Sequence, residues 1–312
     1  MNVIVLKSNE PSTTDRYVDF LNAQNSPLVT HVHQINLLKF SFQNLDLLKS
    51  KLFTFFLDHT NYEHYVRECF KCLIITSRQT VESMQRAFDL TAHNDHPSVH
   101  THSGLDNNSD KLLVYCVGEA TAHRFNQLVQ SIKKVNATVD SRLILRCVSD
   151  HKQNARELFK LIKQDYELVR PNVRPTSDQF KYALYPCSKI RRDDLSNSLS
   201  ESGISFEEIH VYDTVPCDTG KQKLANALNK LHGNNVLVFF SPSGSDCVFK
   251  DHILNSLIYS RLQDFKFVSV GPTTSSRLRQ YIEPALINEL TEPSPQALWQ
   301  TILKISGQNL NS

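Results

Sequence analysis

The sequence predicts an α/β protein whose parallel sheets are covered by helices on both faces. Three observations carry that prediction. Short apolar runs of strand length alternate with helical patterns along the whole chain. The 312 residues suffice for two domains of ordinary size. The strand-to-helix junctions also occur in two near-matching pairs. Leu73-Ile-Ile-Thr-Ser77 is matched by Val238-Phe-Phe-Ser241-Pro-Ser243-Gly244, and Tyr115-Cys-Val-Gly118-Glu-Ala-Thr121 by Val268-Ser-Val-Gly271-Pro-Thr273-Thr274. Each apolar run suits a strand buried on both faces. Each breaks into Ser, Gly or Thr, residues that cap the following helix and leave its first N–H groups pointing outward. Two α/β units with two such loops apiece would form a cleft rich in anion-binding donors, suited to a polyanionic small molecule.

The elements follow in order. Residues 2–6 form a strand and 13–23 a helix. Val29-Thr-His-Val-His-Gln-Ile35 is extended and alternates in polarity, and a helix follows over 44–57. Strands at 71–76, 112–117, 142–147 and 182–186 lead into helices at 79–90, 120–131, 153–164 and 190–202. The strand 207–213 contains a second polar-alternating stretch, Ile209-His-Val-Tyr212-Asp-Thr-Val215. Helix 219–232, strand 235–240, helix 245–259, strand 266–270 and helices 273–282 and 294–306 complete the pattern. The segment Thr91 to Asp110 holds four His and almost no large apolar residue, and reads as an exposed loop.

Two domain arrangements fit this order. In one, the two polar-alternating stretches are paired crossings, so a discontinuous domain of residues 1–35 plus 215–312 receives 36–214 as an insertion. In the other, two consecutive domains divide near residue 180.

Composition narrows the function. Lys and Arg number 34 against 32 for Asp and Glu, which argues against bulk nucleic-acid binding. No stretch approaches the roughly 18 apolar residues of a membrane span. The start, Met1-Asn-Val-Ile-Val-Leu-Lys7, reads as a strand and not as a signal peptide. Seven scattered cysteines, mostly in apolar runs, point to a reducing compartment and hence to the cytoplasm.

Most chemical motifs are missing or incomplete. Cys69-Phe-Lys-Cys72 has half-zinc or redox spacing, but no second pair exists and Cys72 opens a strand, so buried inert thiols are expected. His93, His96, His100 and His102 have no Cys or carboxylate framework. Eight glycines form no dinucleotide or P-loop signature, and Ser243 has no evident base beside it. Lys189-Ile-Arg191-Arg192 sets basic residues against the positive end of a helix, which an anion would explain and a solvated turn would explain equally. Tyr212, in a strand, is either a packing residue or a phenol aimed at a ligand.

The ordered set Ile74-Ile-Thr-Ser77, Val117-Gly118-Glu-Ala-Thr121-Ala122, Tyr185-Pro-Cys187, Val211-Tyr212-Asp-Thr214, Phe240-Ser241-Pro-Ser243-Gly244 and Val270-Gly271-Pro-Thr273-Thr274 resembles the uroporphyrinogen-III synthases. Glu292-Pro-Ser294-Pro-Gln-Ala-Leu298 is similar to that family's last helix start. The resemblance implies two doubly wound parallel-sheet domains joined by a two-stranded linker, one domain discontinuous. It implies a lyase, a monomer without cofactor or metal, that acts on hydroxymethylbilane, a linear tetrapyrrole bearing acetate and propionate groups. The macrocycle closes with loss of water and inversion of the last ring. By the same resemblance Tyr212 is the proton donor and Thr121 its catalytic companion. Ser77, Arg192, Ser241, Ser243, Lys266, Thr273 and Thr274 line or flank the substrate site. The family often has Pro then Arg after the serine matched by Ser77, where this chain has Arg78 and Gln79.

Overall fold

A computed structural model describes residues 1–7, 15–57, 70–89, 112–133, 143–148, 154–169, 182–190 and 193–307. The His-rich segment 91–110, Cys69, Arg191 and Arg192 lie outside the described residues. The chain begins β1 (Asn2–Leu6), α1 (Arg16–Ala23), β2 (His31–Ile35), β3 (Leu38–Phe42), α2 (Leu45–Leu57), β4 (Cys72–Ile75) and α3 (Arg78–Asp89). It continues with β5 (Leu112–Val117), α4 (Glu119–Lys133), β6 (Leu143–Val148), α5 (Ala155–Val169), β7 (Ala183–Ser188), α6 (Asp194–Glu201) and β8 (Phe206–Pro216). It closes with α7 (Asp218–Lys230), β9 (Asn235–Phe239), α8 (Pro242–Phe249), α9 (His252–Tyr259), β10 (Phe265–Ser269), α10 (Pro272–Leu278), β11 (Ile287–Glu289) and α11 (Pro295–Ile305). The α/β class is the one the sequence predicts.

Two compact units divide the chain, Met1–Lys39 with Val215–Ser312, and Phe40–Thr214. The chain passes from one to the other within β3 and again within β8.

In the first unit the strand order is β11-β10-β9-β1-β2, with parallel pairing throughout. Strand alternation splits the core into two layers. Ile4, Leu6, Leu237, Phe239, Phe265 and Phe267 pack with Leu224 and Leu228 of α7, Val248 of α8 and Leu254 of α9. Val3, Val5, Val236, Val238 and Val268 pack with Tyr17 and Leu21 of α1 and Leu298 and Ile302 of α11. Strands covered on both faces are mostly apolar, which is why they read as near-continuous runs, and the buried Asn2 and Asn235 at the starts of β1 and β9 satisfy each other through a 2.9 Å hydrogen bond. Each such side chain contributes about 1.5–3 kcal/mol on burial.

The second unit has the order β3-β8-β7-β4-β5-β6. Strands β8, β7, β4, β5 and β6 are parallel. One face carries Leu73, Ile75, Val114, Cys116 and Leu184 against α2, α3 and α4. The other carries Cys72, Ile74, Tyr115, Tyr185 and Cys187 against Leu158 and Ile162 of α5 and Leu195 and Leu199 of α6. Inside it, buried Asp165 accepts from the Tyr115 hydroxyl and from Arg146 Nη2, both at 3.1 Å.

Three elements differ from the sequence expectation. Strand β3 was not expected, although Leu38-Lys-Phe-Ser-Phe42 alternates in polarity. Its place beside β8 makes it a strand. The helix expected over 245–259 is two helices, because Asp251 accepts the N–H groups of Ile253 and Leu254 and starts α9 afresh. Strand β11 has only three residues, too few for a periodic signal.

Candidate functional site

In doubly wound sheets, ligands bind beyond the carboxyl ends of the strands, where the strand order reverses. Among the described strands of the second unit that point lies between β4 and β7, since chain order runs outward from β4 to β6 on one side and from β7 to β8 on the other. Ser77 follows β4 and Ser188 ends β7, so both flank it.

Tyr212 completes the group. Its hydroxyl donates to Ser77 Oγ at 2.9 Å and also hydrogen-bonds Ser188. A β-bulge aims it there. Cys187 opposes His210 while Ser188 opposes Tyr212, which leaves Val211 as the extra residue. The bulge breaks strand alternation, so Ile209, Val211 and Tyr212 all join one core cluster. Three contacts hold the segment. The Lys189 N–H donates to Tyr212 O at 2.8 Å, the Gln43 N–H donates to Val211 O at 3.0 Å, and the Phe40 ring meets Tyr212 edge-on at 5.9 Å.

Ser77 is fixed by its own helix. Its Oγ accepts the Thr80 N–H at 3.1 Å and lies 3.0 Å from Thr80 Oγ1, the geometry of an N-cap. Burial pushes the Tyr212 phenol above its ordinary pKa, and the hydrogen bonds to Ser77 and Ser188 pull the other way without cancelling it. Tyr212 is therefore a neutral donor with its proton already directed along a hydroxyl chain.

Thr121 lies one strand away, in the first turn of α4, and is buried. Gly118, at φ 79°, makes the turn and accepts the N–H groups of Thr121 and Ala122. Arg78 is exposed at the start of α3.

In the first unit the order reverses between β1 and β9. Ser241 follows β9 and caps α8, accepting the Gly244 N–H at 3.1 Å, with Pro242 at the first helical position. Ser243 is exposed in the first turn of α8. Beside this junction Gly271, at φ 113°, turns β10 into α10, where Thr273 is exposed and Thr274 is buried.

The structure does not bring Lys266 to these loops. It sits at the second position of β10. At about 3.3 Å per residue, the carboxyl end of the strand is roughly 10 Å further on.

Three residues at the reversal points escaped the sequence reading. Ser188 directly follows the noted Tyr185-Pro-Cys187. Thr80 joins the hydroxyl chain one turn into α3. Lys7 follows β1, with its ammonium 2.7 Å from Asp15 Oδ2 and 4.9 Å from the Phe240 ring. Its signal was a basic residue directly after the first buried strand.

Taken separately, each unit's reversal point presents hydroxyls and helix-terminal N–H groups, and that of the first unit adds the Lys7 ammonium, groups whose chemistry suits carboxylates without reacting with them. A family model described as Uroporphyrinogen-III synthase HemD matches residues 55–300. Among solved structures, a mutant uroporphyrinogen III synthase from Thermus thermophilus is 12% identical over 97% of this chain and 99% of that one, with a TM-score of 0.47. The uroporphyrinogen-III synthetase of Helicobacter pylori is 16% identical over 98% of this chain and 100% of that one, with a TM-score of 0.46. The family match, which spans most of the sequence, places this chain in the uroporphyrinogen-III synthase family.

Proposed function

We propose that this chain is a lyase that closes hydroxymethylbilane to uroporphyrinogen III, with loss of water and inversion of the terminal pyrrole ring. The observation that carries the chemical part is the Tyr212 hydroxyl, held at a strand-order reversal by Ser77 and Ser188.

The substrate's pyrroles are electron-rich, so a ring nitrogen pushes out the hydroxyl and only modest acid help is required. Tyr212 gives its proton to the departing hydroxyl, which leaves as water. The Ser77 and Thr80 hydroxyls orient the donor. The resulting azafulvene is attacked by the substituted carbon of the terminal ring, giving a spiro intermediate. That intermediate breaks and recloses with the ring inverted, and loss of a ring proton restores the pyrrole. Thr121 acts from the neighbouring β5–α4 junction.

Ser77, Ser241, Ser243, Thr273 and Thr274 hold acetate and propionate groups through hydroxyls and neighbouring helix-terminal N–H groups. Arg192 adds a charge from the sequence motif. Lys7 is the better-situated cation of the first unit, in place of Lys266. The protein's main task is geometric, because unassisted closure gives the uninverted type I isomer. A gap of roughly 2.7 kcal/mol between the two barriers gives about 100-fold selectivity.

The proposal extends to a monomer acting in the cytoplasm. The buried thiols of Cys72, Cys116 and Cys247 support a reducing compartment.

The test is product identity. The purified chain is incubated briefly with hydroxymethylbilane, and the isomers are separated by chromatography. Mainly type III product is expected. Type I product at the spontaneous rate would reduce the chain to a binder of an anionic metabolite.

A further inference from the structure

Strands β7 and β8 bring three ligand atoms of different chemistry together. Cys187 and His210 are cross-strand partners, and Glu208 lies two positions before His210 on the same face. Cys187 Sγ, a Glu208 carboxylate oxygen and a His210 ring nitrogen all lie within 4.8 Å of one another. His210 Nε2 is 2.7 Å from Glu208 Oε1. On α6, Ser196 Oγ donates to Glu208 Oε2 at 3.0 Å.

We propose that Cys187, Glu208 and His210 bind one divalent transition-metal ion of the zinc class, leaving a fourth position open to solvent. The donor set selects the metal. Thiolate and imidazole disfavour magnesium and calcium and suit zinc, and three protein ligands with one open vertex is a common zinc arrangement. Metal–ligand bonds of about 2.0–2.3 Å at tetrahedral angles put ligand atoms roughly 3.3–3.8 Å apart. Around an ion the His210–Glu208 pair would widen from 2.7 Å, and the three ligand atoms, now within 4.8 Å of one another, would settle to that spacing by side-chain rotation.

Charge and access agree with this. The Cys187 thiol gives up its proton to solvent as the Sγ–metal bond forms, so a thiolate and a carboxylate balance the ion's two positive charges. Cys187 is 1% exposed, whereas the His210 and Glu208 side chains are 40% and 20% exposed, so an ion has a route from solvent to the thiol. Ser196 supplies the outer hydrogen bond that orients the carboxylate. Ser188 adjoins Cys187 in sequence, and Tyr212 is two residues beyond His210, so a bound ion would tie the strands at the bulge that aims the phenol. This inference does not depend on the synthase reading.

The test is Co2+ titration of the full metal-free chain. A thiolate-to-cobalt charge-transfer band and tetrahedral d–d bands should grow to one equivalent. Cys187→Ser should lose the charge-transfer band, whereas Cys72→Ser should keep it. Because Cys187 is buried, His210→Ala serves as a milder variant. It should bind Co2+ at least about tenfold more weakly with an unchanged circular dichroism spectrum. No charge-transfer band in the wild type, its retention in Cys187→Ser, or unchanged affinity in His210→Ala would each overturn the site.

Discussion

The Tyr212 hydroxyl donates to Ser77 Oγ at 2.9 Å, although the two residues stand 135 positions apart in the chain. Ser77 also caps α3 through the Thr80 N–H, so one oxygen serves both a helix and a phenol. The helix cap and the phenol's hydrogen bond thereby share an atom.

Tyr212→Phe should lower kcat and leave product affinity nearly unchanged. A positioned acid contributes about 10²–10⁴-fold, and a substrate that ionises by itself sets the effect near the lower end. Steady-state kinetics combined with isomer analysis checks this. An unchanged kcat would remove Tyr212 from the acid role.

Ser77→Ala should destabilise the fold by about 1 kcal/mol, the usual cost of a lost N-cap. It also deprives Tyr212 of an acceptor. The double variant with Tyr212→Phe should therefore lose less activity than the product of the two single losses. Urea melts and kinetics on the four proteins complete the cycle, and strictly multiplicative losses would mean that the two hydroxyls act independently.

Gly220 and Gly271 should fail for different reasons. A Cβ on Gly220 would lie 1.9 Å from Asn36 O, so α7 must move, and Gly220→Ala should cost about 3 kcal/mol or more. A Cβ on Gly271 meets nothing within 4 Å, yet φ 113° and ψ 159° suit only glycine. Gly271→Ala should cost about 1–3 kcal/mol through backbone strain alone. Thermal or urea unfolding ranks the two, and the reverse order would refute the steric account of Gly220.

Acid should remove a stabilising contribution at Asp251. Burial works to raise its pKa, but the Leu254 N–H, Lys221 and the Ile253 N–H outweigh it, and the carboxyl ends below its ordinary value of 3.8. Lys221 Nζ is 3.1 Å away. A carboxyl depressed in the folded state stabilises above its unfolded pKa, and that contribution fades as pH falls through the folded value. Asp251→Asn keeps the cap but loses the charge. Its stability deficit should be full near pH 6 and shrink below the ordinary aspartate range, as read by urea melts across that interval. A deficit independent of pH would remove the ion pair from the account.

Legibility in the sequence follows the range of each interaction. Ser77 and Ser241 stood out because capping acts over three residues, a distance the sequence displays directly. The strands stood out because burial on both faces demands unbroken apolar runs such as Cys72-Leu-Ile-Ile75. Lys266 looked like one more cation of the site, but its position at the start of β10 sets it a strand length from the loops. Ser188, Thr80 and Lys7 gained their places through strand order, which no local pattern records. Cys187, Glu208 and His210 lack any metal-binding spacing, since cross-strand pairing and a shared face bring them together.

The sequence by itself determined the α/β class, the order of most strands and helices, and the family, because these rest on periodicity, caps and ordered motifs written along one dimension. Only the tertiary structure decided that β3 lies beside β8, that the β7–β8 pairing carries a bulge at Val211, and that this bulge turns the Tyr212 hydroxyl onto Ser77 and Ser188. The physical reason is that register is set by pairing between distant segments, and a shift of one residue reverses the face to which every following side chain points.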